Sequence, residues 1–299
     1  MEEIKYDPRV LIGNWQEELL TMKERERLYE LKKEKGELKA QKARRFFDYM
    51  SKEVRLKPLP LTIFWKKVAI TLPDEYVRYG GVFQLLAPNV SNTPGGEGKN
   101  CCLALSCVPT EEELESERYF VEGCSISASP HLEACPRNTF IICSTGDGEK
   151  DGQPVLYGES FHLRPAATRD GEELLVQSKF GLLSNKLGRS GEPSLQLSSV
   201  KNVDTKWHCV FIDPNYRFET NGSPVLPNQK LIICHSSSNR RLAVEDQFWN
   251  KNLFGLESEV SVHTMLDPRR LEKGNNIWMI ATQKHGENKV TIEPADTKC

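Results

Sequence analysis

The pattern of apolar and polar positions divides the chain into a charged first part and a longer second part made of short apolar runs. In residues 15–54, apolar side chains recur at helical spacing and form one narrow stripe among many charged residues. The members of this stripe are Leu28, Leu31, Leu38, Phe46, Phe47 and Met50. Asn14 is followed by Glu17, a variant of the capping box, so we predict a helix that begins there and breaks near Gly36.

The second part begins after Pro58 and Pro60, which end the helical segment because proline breaks helices and disfavours helical backbone in the preceding residue. Its apolar runs are short, rich in β-branched and aromatic residues, and bounded by turn residues. These runs are Thr62–Trp65, Val82–Leu86, Phe140–Cys143, Trp207–Ile212, Leu231–Cys234 and Ile277–Ala281. The second part is therefore predicted to be mainly β.

The second part also repeats itself, with a period of about 70 residues. Each of three units has an opening apolar marker: Phe83, Phe161 and Leu231. Each has a closing aromatic marker: Phe140, Trp207 and Trp278. Between the markers lies another strand-like stretch, at 101–106, 174–179 and 241–246, and the first unit carries an inserted loop at 87–100. Three units predict a pseudo-threefold β-trefoil, since a propeller needs at least four blades.

The domain organisation that follows has three segments. Residues 1–58 form the N-terminal segment and its charged helical arm, residues 59–285 form the trefoil-like domain, and residues 286–299 form a C-terminal tail.

Composition and charge narrow the class of protein. Forty basic and forty-two acidic residues give a net charge of -2, which argues against binding by neutralisation of many phosphates, so no nucleic-acid partner is expected. The longest apolar runs are too short to span a bilayer, and the polar start does not fit a secretory signal. Nine cysteines, an odd number without a signal peptide, indicate reduced thiols and an intracellular setting.

Motifs for catalysis or metal binding are not found in the sequence. The glycine-rich run at 95–99 lacks the spacing of a phosphate-binding loop, and the run at 147–152 lacks the last ligand of a calcium loop. A spatial cluster of Cys209, Cys234 and His235 stays open, although buried thiols acting as small apolar groups fit better. We therefore expect no enzyme, no cofactor and no metal.

The charged helix offers the main candidate for binding another protein. From Lys23 to Arg45 there are ten basic and five acidic residues, a local charge of +5. Such a helix either folds back on its own domain or reaches a partner, and arginine pairs in loops are either solvated charges or interface residues. The candidate partner-binding residues are Trp15, Lys32, Lys33, Lys39, Arg44, Arg45, Arg240, Arg241, Arg269 and Arg270. Trp15 is either an aromatic anchor or a core contact.

Long segments in a fixed order carry a resemblance to a known family. They lie at 9–15, 42–46, 78–86, 136–144, 153–163, 206–245 and 259–282. The chain resembles the cilia- and flagella-associated protein 161 family. This resemblance implies a MIR-like β-trefoil without catalytic residues, seated on the luminal face of the A-tubule of ciliary doublet microtubules. It further implies that the protein binds tubulin and neighbouring microtubule inner proteins and stabilises the axoneme for motility. The basic helix would suit tubulin, an acidic protein.

An intracellular glycan- or ligand-binding module is the alternative, because other trefoils bind sugars through aromatic side chains repeated in each unit. The closing aromatic marker here lies inside an apolar run, as at Trp278, which favours burial over sugar binding.

Overall fold

The computed structural model divides by its internal contacts into two units, Met1–Leu59 and Pro60–Cys299. The residues that the structure describes are 14–35, 38, 41, 64–91, 101–109, 120–146, 150–168, 172–179 and 187–283. The predicted boundaries at 58 and 285 stay predictions.

The N-terminal part, Met1–Leu59, contains helix α1, Asn14–Glu34. Asn14 is the first residue of this helix instead of the capping residue before it, and the helix ends close to the predicted break. After α1, the side-chain amide of Gln41 donates to the Lys33 carbonyl at 3.0 Å. Two members of the predicted apolar stripe, Leu28 and Leu31, are exposed. Its members from Phe46 to Met50 lie outside the described residues.

The described residues of Pro60–Cys299 form twelve strands and one short α-helix. The strands are β1 Val82–Val90, β2 Cys101–Val108, β3 Ser125–Ser129, β4 Phe140–Ser144, β5 Ser160–Pro165, β6 Leu175–Gln177, β7 Gln196–Ser198, β8 Lys206–Phe211, β9 Lys230–His235, β10 Leu242–Asn252, β11 Gly255–Val262 and β12 Ile277–Ala281. Helix α2, Arg217–Thr220, lies between β8 and β9. Three 3-10 turns accompany them, at Val203–Thr205, Pro214–Tyr216 and Gly274–Asn276.

Six of these strands close into a barrel. The strands β1, β5 and β9 each begin one of the three trefoil repeats. Each is hydrogen-bonded on one side to the last strand of its own repeat and on the other side to the last strand of the preceding repeat. The ring therefore runs β1–β4–β5–β8–β9–β12 and returns to β1. The other six strands form three hairpins, β2–β3, β6–β7 and β10–β11. A six-stranded barrel with one hairpin per unit is a β-trefoil, so the predicted fold class is confirmed.

The predicted repeat markers face each other across the barrel strands. Phe83 is paired with Phe140, Phe161 with Trp207, and Leu231 with Trp278, so each opening marker lies beside the closing marker of its own unit. All six side chains are at most 2% exposed. The indole nitrogens of Trp207 and Trp278 donate to the carbonyls of Val176 and Leu242, both at 2.9 Å. The repeated apolar pattern thus specifies the core of the barrel.

A triangle of backbone hydrogen bonds also follows the threefold symmetry. The amide of Val77 donates to the Val225 carbonyl, Val155 donates to Val77, and Val225 donates to Val155, at 2.8–2.9 Å. All three side chains are fully buried. Each unit therefore holds the other two through main-chain atoms, which indicates that the three units fold as one cooperative body.

One predicted strand is wrong. Of the run Thr62–Trp65, only Phe64 and Trp65 are described; Phe64 has helical backbone and Trp65 lies in a turn. The barrel is already closed, so it leaves no free strand edge for this run. Phe64 packs instead against Phe120, with ring centroids 5.2 Å apart. The predicted insertion at 87–100 also begins later, because β1 continues through Val90 and Ala87 pairs with Leu103.

A buried ion pair joins the third repeat of the trefoil to the first repeat. The guanidinium of Arg137 donates to both carboxylate oxygens of Glu257, at 2.9 and 3.0 Å, and each side chain is 1% exposed. Ser127 and Asn252 also donate to Glu257, and the ring of Phe254 lies 3.5 Å from the guanidinium carbon. Burial alone would raise the pKa of Glu257, but the charge of Arg137 and these hydrogen bonds outweigh burial and lower it. The pair is therefore charged at neutral pH.

Candidate interaction surface

The predicted residues of the helical arm are only partly described. Lys32 and Lys33 lie exposed in the last turn of α1, where cations are favoured by the helix dipole. Trp15 lies in the first turn of α1, with its side chain outside the description. Lys39, Arg44 and Arg45 lie outside the described residues.

The first predicted arginine pair lies in the turn between β9 and β10. Arg240 Nη1 donates to Glu192 Oε2 at 3.2 Å, with its side chain 41% exposed. Arg241 Nε donates to Glu272 Oε1 at 3.2 Å, and its side chain is 16% exposed. The guanidinium of Arg241 is therefore used within the fold, while Arg240 is accessible at the surface.

Glu272 joins two surface segments. Its carboxylate is 5% exposed and accepts from Arg217 on α2 at 2.9 Å as well as from Arg241. Burial would raise the pKa of Glu272, but hydrogen bonds from Arg217 and Arg241 and the Arg217 charge outweigh it and lower the pKa. Arg217 also donates to the carbonyl of Phe211 at 2.9 Å. A charged Glu272 thus fixes α2 beside the segment that contains the second arginine pair.

The second predicted arginine pair lies at the tip of a small hairpin closed by a bridge between Leu266 and Glu272. The amide of Arg270 donates to the Asp267 carbonyl at 3.0 Å, and the Asp267 carboxylate accepts from the Leu271 amide at 2.8 Å. Arg269 and Arg270 are exposed. Arg270 has a φ of 63°, in the left-handed region that favours glycine.

Replacing Arg270 with glycine is expected to raise the free energy of unfolding by about 0.5 kcal/mol. Left-handed backbone costs a residue with a Cβ roughly 1–2 kcal/mol, which exceeds glycine's own entropic cost of about 0.5–1 kcal/mol. The measurement is urea unfolding of the wild type, Arg270→Gly and Arg270→Ala. Alanine keeps the strain, so a stability gain with alanine that equals the gain with glycine would contradict this explanation.

Two aromatic side chains next to Arg217 complete this surface. Tyr216 is 53% exposed and Phe218 is 93% exposed. Neither was predicted from the sequence as a binding residue. The available signal was an aromatic–arginine–aromatic run at 216–218, shortly after Asp213-Pro214.

The candidate thiols and histidines are buried in structural roles. Burial raises the pKa of the Cys209 thiol strongly and that of Cys234 to about 11, so neither is a thiolate at neutral pH. His235 donates from Nε2 to the Asp204 carbonyl at 2.9 Å and pairs with Ser238 through Nδ1, also at 2.9 Å. The predicted packing role of Cys209 and Cys234 therefore fits their full burial. Within the described residues, no group of three His, Cys, Asp or Glu side chains is arranged to hold a metal ion.

Stability is expected to fall as the pH drops from about 7.5 to about 5.5. Burial lowers the pKa of His162 and His235 below 6.5, so the unfolded chain binds more protons than the folded chain below that pH. The stability that each neutral histidine contributes is fully present above pH 6.5 and is lost below it. The loss is at most about 1.4 kcal/mol per histidine at pH 5.5, one pH unit lower.

Urea unfolding at the two pH values measures this effect. His162→Asn is the matched control, because its amide replaces the Nδ1 donor to the Thr205 carbonyl and does not titrate. This variant should show a smaller pH dependence than the wild type. A stability that is unchanged or higher at the lower pH would contradict the assignment.

No helix among the described residues has the length and apolar character needed to cross a bilayer. Comparison with known families places nearly the whole trefoil unit in one of them. A model of the cilia- and flagella-associated protein 161-like domain matches residues 61–178 and 169–283.

Curated proteins named cilia- and flagella-associated protein 161 match over nearly the whole chain. The Mus musculus protein is 34% identical over 284 residues, which covers 94% of this chain and 89% of that protein. The Bos taurus protein is 32% identical over 283 residues, covering 94% and 84%.

Among solved structures, the SDF2-like protein from Arabidopsis thaliana aligns with a TM-score of 0.46 and 16% identity, over 71% of this chain and 99% of that one. The designed threefold-symmetric protein ThreeFoil aligns with a TM-score of 0.39 and 12% identity, over 68% and 99%. The fold assignment rests on the strand pairing described above.

Proposed function

Because this chain belongs to the cilia- and flagella-associated protein 161 family, we propose that it is a non-catalytic structural component of the cilium and flagellum. Its seat is the luminal face of the A-tubule in doublet microtubules, where it binds tubulin and neighbouring inner proteins and stabilises the axoneme for motility. The observation that carries the proposal is the match to relatives of that name over 94% of this chain.

The state of the polar groups in the trefoil supports a structural role. The thiols of Cys209 and Cys234 are fully buried, with raised pKa values, and are poor nucleophiles. His162 and His235 are buried, with lowered pKa values and hydrogen bonds to backbone carbonyls. These groups stabilise the fold.

The exposed surface of α1 supports attachment to other proteins. Leu20, Met22 and Tyr29 on this helix of 21 residues are 65%, 67% and 56% exposed. Lys32 and Lys33 are exposed in the last turn of the same helix. With six acidic and five basic residues, α1 exposes apolar side chains among mixed charges, which fits packing against a neighbouring protein.

Stepwise extraction of isolated axonemes tests the seat in the microtubule wall. The full-length protein should remain with the doublets through detergent and high salt, and leave when sarkosyl or a chaotrope dissolves the wall. Tubulin and an outer-arm dynein chain, followed in the same fractions, mark the dissolution of the wall and the release of outer components. Release with detergent or moderate salt would contradict the proposal and would favour a peripheral binder, including a glycan-binding module.

A further inference from the structure

Four exposed apolar residues adjoin the Arg217–Glu272 ion pair in sequence or in register. Tyr216 and Phe218 flank the arginine in sequence, and their exposed fractions are 53% and 93%. Leu271 precedes the glutamate and Leu266 pairs with it across the hairpin, with exposed fractions of 43% and 45%. Isolated apolar side chains on a surface are ordinary, but here an ion pair holds the two segments that carry these four together, and their exposed residues are called the patch below.

The segment that carries Phe218 is held in one conformation. The Asp213 carboxylate accepts from the Asn215 amide at 2.9 Å, and Thr220 Oγ1 donates to the Tyr216 carbonyl at 2.8 Å. Arg217 donates to the carbonyl of Phe211 and to Glu272. Phe218 is thus presented to solvent on a fixed backbone, so binding a partner would cost little conformational entropy.

Positive charge predominates on the exposed part of this patch. Arg269 and Arg270 are exposed, and no ion pair is found for either among the described residues. The nearby carboxylates are already engaged, since Glu272 binds Arg217 and Arg241 while Asp267 accepts from the Leu271 amide. Glu219 is the one exposed carboxylate on residues 213–220 and 265–273.

We propose that Tyr216, Phe218, Leu266, Leu271, Arg269 and Arg270 form a docking face for an acidic segment of another protein. The segment's carboxylates pair with Arg269 and Arg270, and an apolar side chain of the segment packs against Phe218. Charge complementarity selects this occupant, because arginine pairs with carboxylates bidentately and an aromatic residue beside it supplies buried area. This assignment deepens the proposed structural function by naming the chemistry of one neighbour, and it rests on that function for the neighbour's place in the axoneme.

Titration of the full-length protein with labelled synthetic peptides tests the face directly. Three short peptides are used: a Glu-rich peptide with Leu and Phe, the same peptide with Lys for Glu, and the same peptide with Ser for Leu and Phe. The first should bind, more weakly as salt rises, and the other two should bind about tenfold more weakly or worse. Phe218→Ala and Arg269→Glu/Arg270→Glu should each weaken binding of the first peptide by about tenfold.

Matched controls exclude general effects of charge and stability. Lys179→Glu/Lys230→Glu reverses the same number of exposed charges elsewhere, and Val203→Ala truncates an apolar side chain that is 62% exposed. Both should bind like the wild type, and melting curves should show that every variant is folded. Equal binding by the face variants and the wild type, or no binding of the acidic peptide, would overturn the proposal. Self-association of the wild type that the face variants lose would show a second copy as occupant and would also overturn it.

The two proposals fail separately. The peptide titration uses purified protein without axonemes, so its failure leaves the extraction result standing. Early release from axonemes would contradict the luminal seat. It would leave the docking face standing if the acidic peptide still binds.

Discussion

Replacing Trp278 with alanine is expected to lower the free energy of unfolding by about 3–5 kcal/mol, a large part of the stability of a typical domain. Trp278 is fully buried in the barrel opposite Leu231, and its indole nitrogen donates to the Leu242 carbonyl at 2.9 Å. Truncation removes the packing of the third repeat and one hydrogen bond to that carbonyl, which still accepts from the side-chain amide of Asn276 at 3.1 Å. Chemical denaturation, followed by far-ultraviolet circular dichroism, measures the loss.

Trp278→Phe is the matched control, because phenylalanine occupies the equivalent position of the first unit at Phe140. It should cost about 1–2 kcal/mol, since the ring is retained and the hydrogen bond and some volume are lost. If alanine costs less than the phenylalanine control, Trp278 does not belong to the barrel core.

Replacing Arg137 with methionine is expected to lower the free energy of unfolding by about 3–5 kcal/mol at neutral pH. The substitution leaves the Glu257 carboxylate buried without its counter-charge, although Ser127 and Asn252 still donate to it. The loss should shrink as the pH falls towards 4, because a protonated Glu257 no longer needs a cation. Urea unfolding at both pH values measures this.

Two variants separate burial from charge. Adding Glu257→Gln to Arg137→Met should recover part of the loss, since a neutral amide carries no unpaired charge. Arg27→Met breaks a pair with Glu24 whose side chains are 69% and 56% exposed, and it should change stability by less than about 0.5 kcal/mol. A loss at Arg137 as small as that at Arg27 would contradict the buried ion pair.

The barrel could be predicted from the sequence because its strands carry their own signal. Phe83, Phe161 and Leu231 recur with their partners at near-equal spacing, and each lies in an apolar run that is buried in the core. The three units share one backbone path, so similar residues recur at equivalent positions. Gly80, Gly158 and Asn228 illustrate this, because all three have a positive φ two residues before the first barrel strand of their repeat.

The third hairpin could not be predicted in full because it buries charged residues. In β11, Glu257 and Glu259 are at most 7% exposed, although a charged residue in a sequence usually indicates a solvent-facing position. Glu257 is satisfied by Arg137, and Glu259 accepts from the Arg189 amide at 2.8 Å. Such partners are distant in sequence, and a periodic pattern does not identify them.

The candidate surface was predicted only in part for the same reason. Arg269 and Arg270 were singled out as a pair in a loop, and the structure places them exposed at a hairpin tip. Their neighbour Phe218 was missed, because the ion pair from Arg217 to Glu272 joins segments 55 residues apart. The arm residues from Lys39 to Arg45 lie outside the described residues, so their role stays a prediction.

Cryo-electron tomography of doublet microtubules from wild-type cilia and from cilia lacking this protein locates the protein within the doublet. A compact density of the size of the trefoil is expected on the luminal face of the A-tubule, present in the wild type and absent without the protein. A missing density on the outer face of the doublet, or doublets that are identical in the two samples, would contradict it.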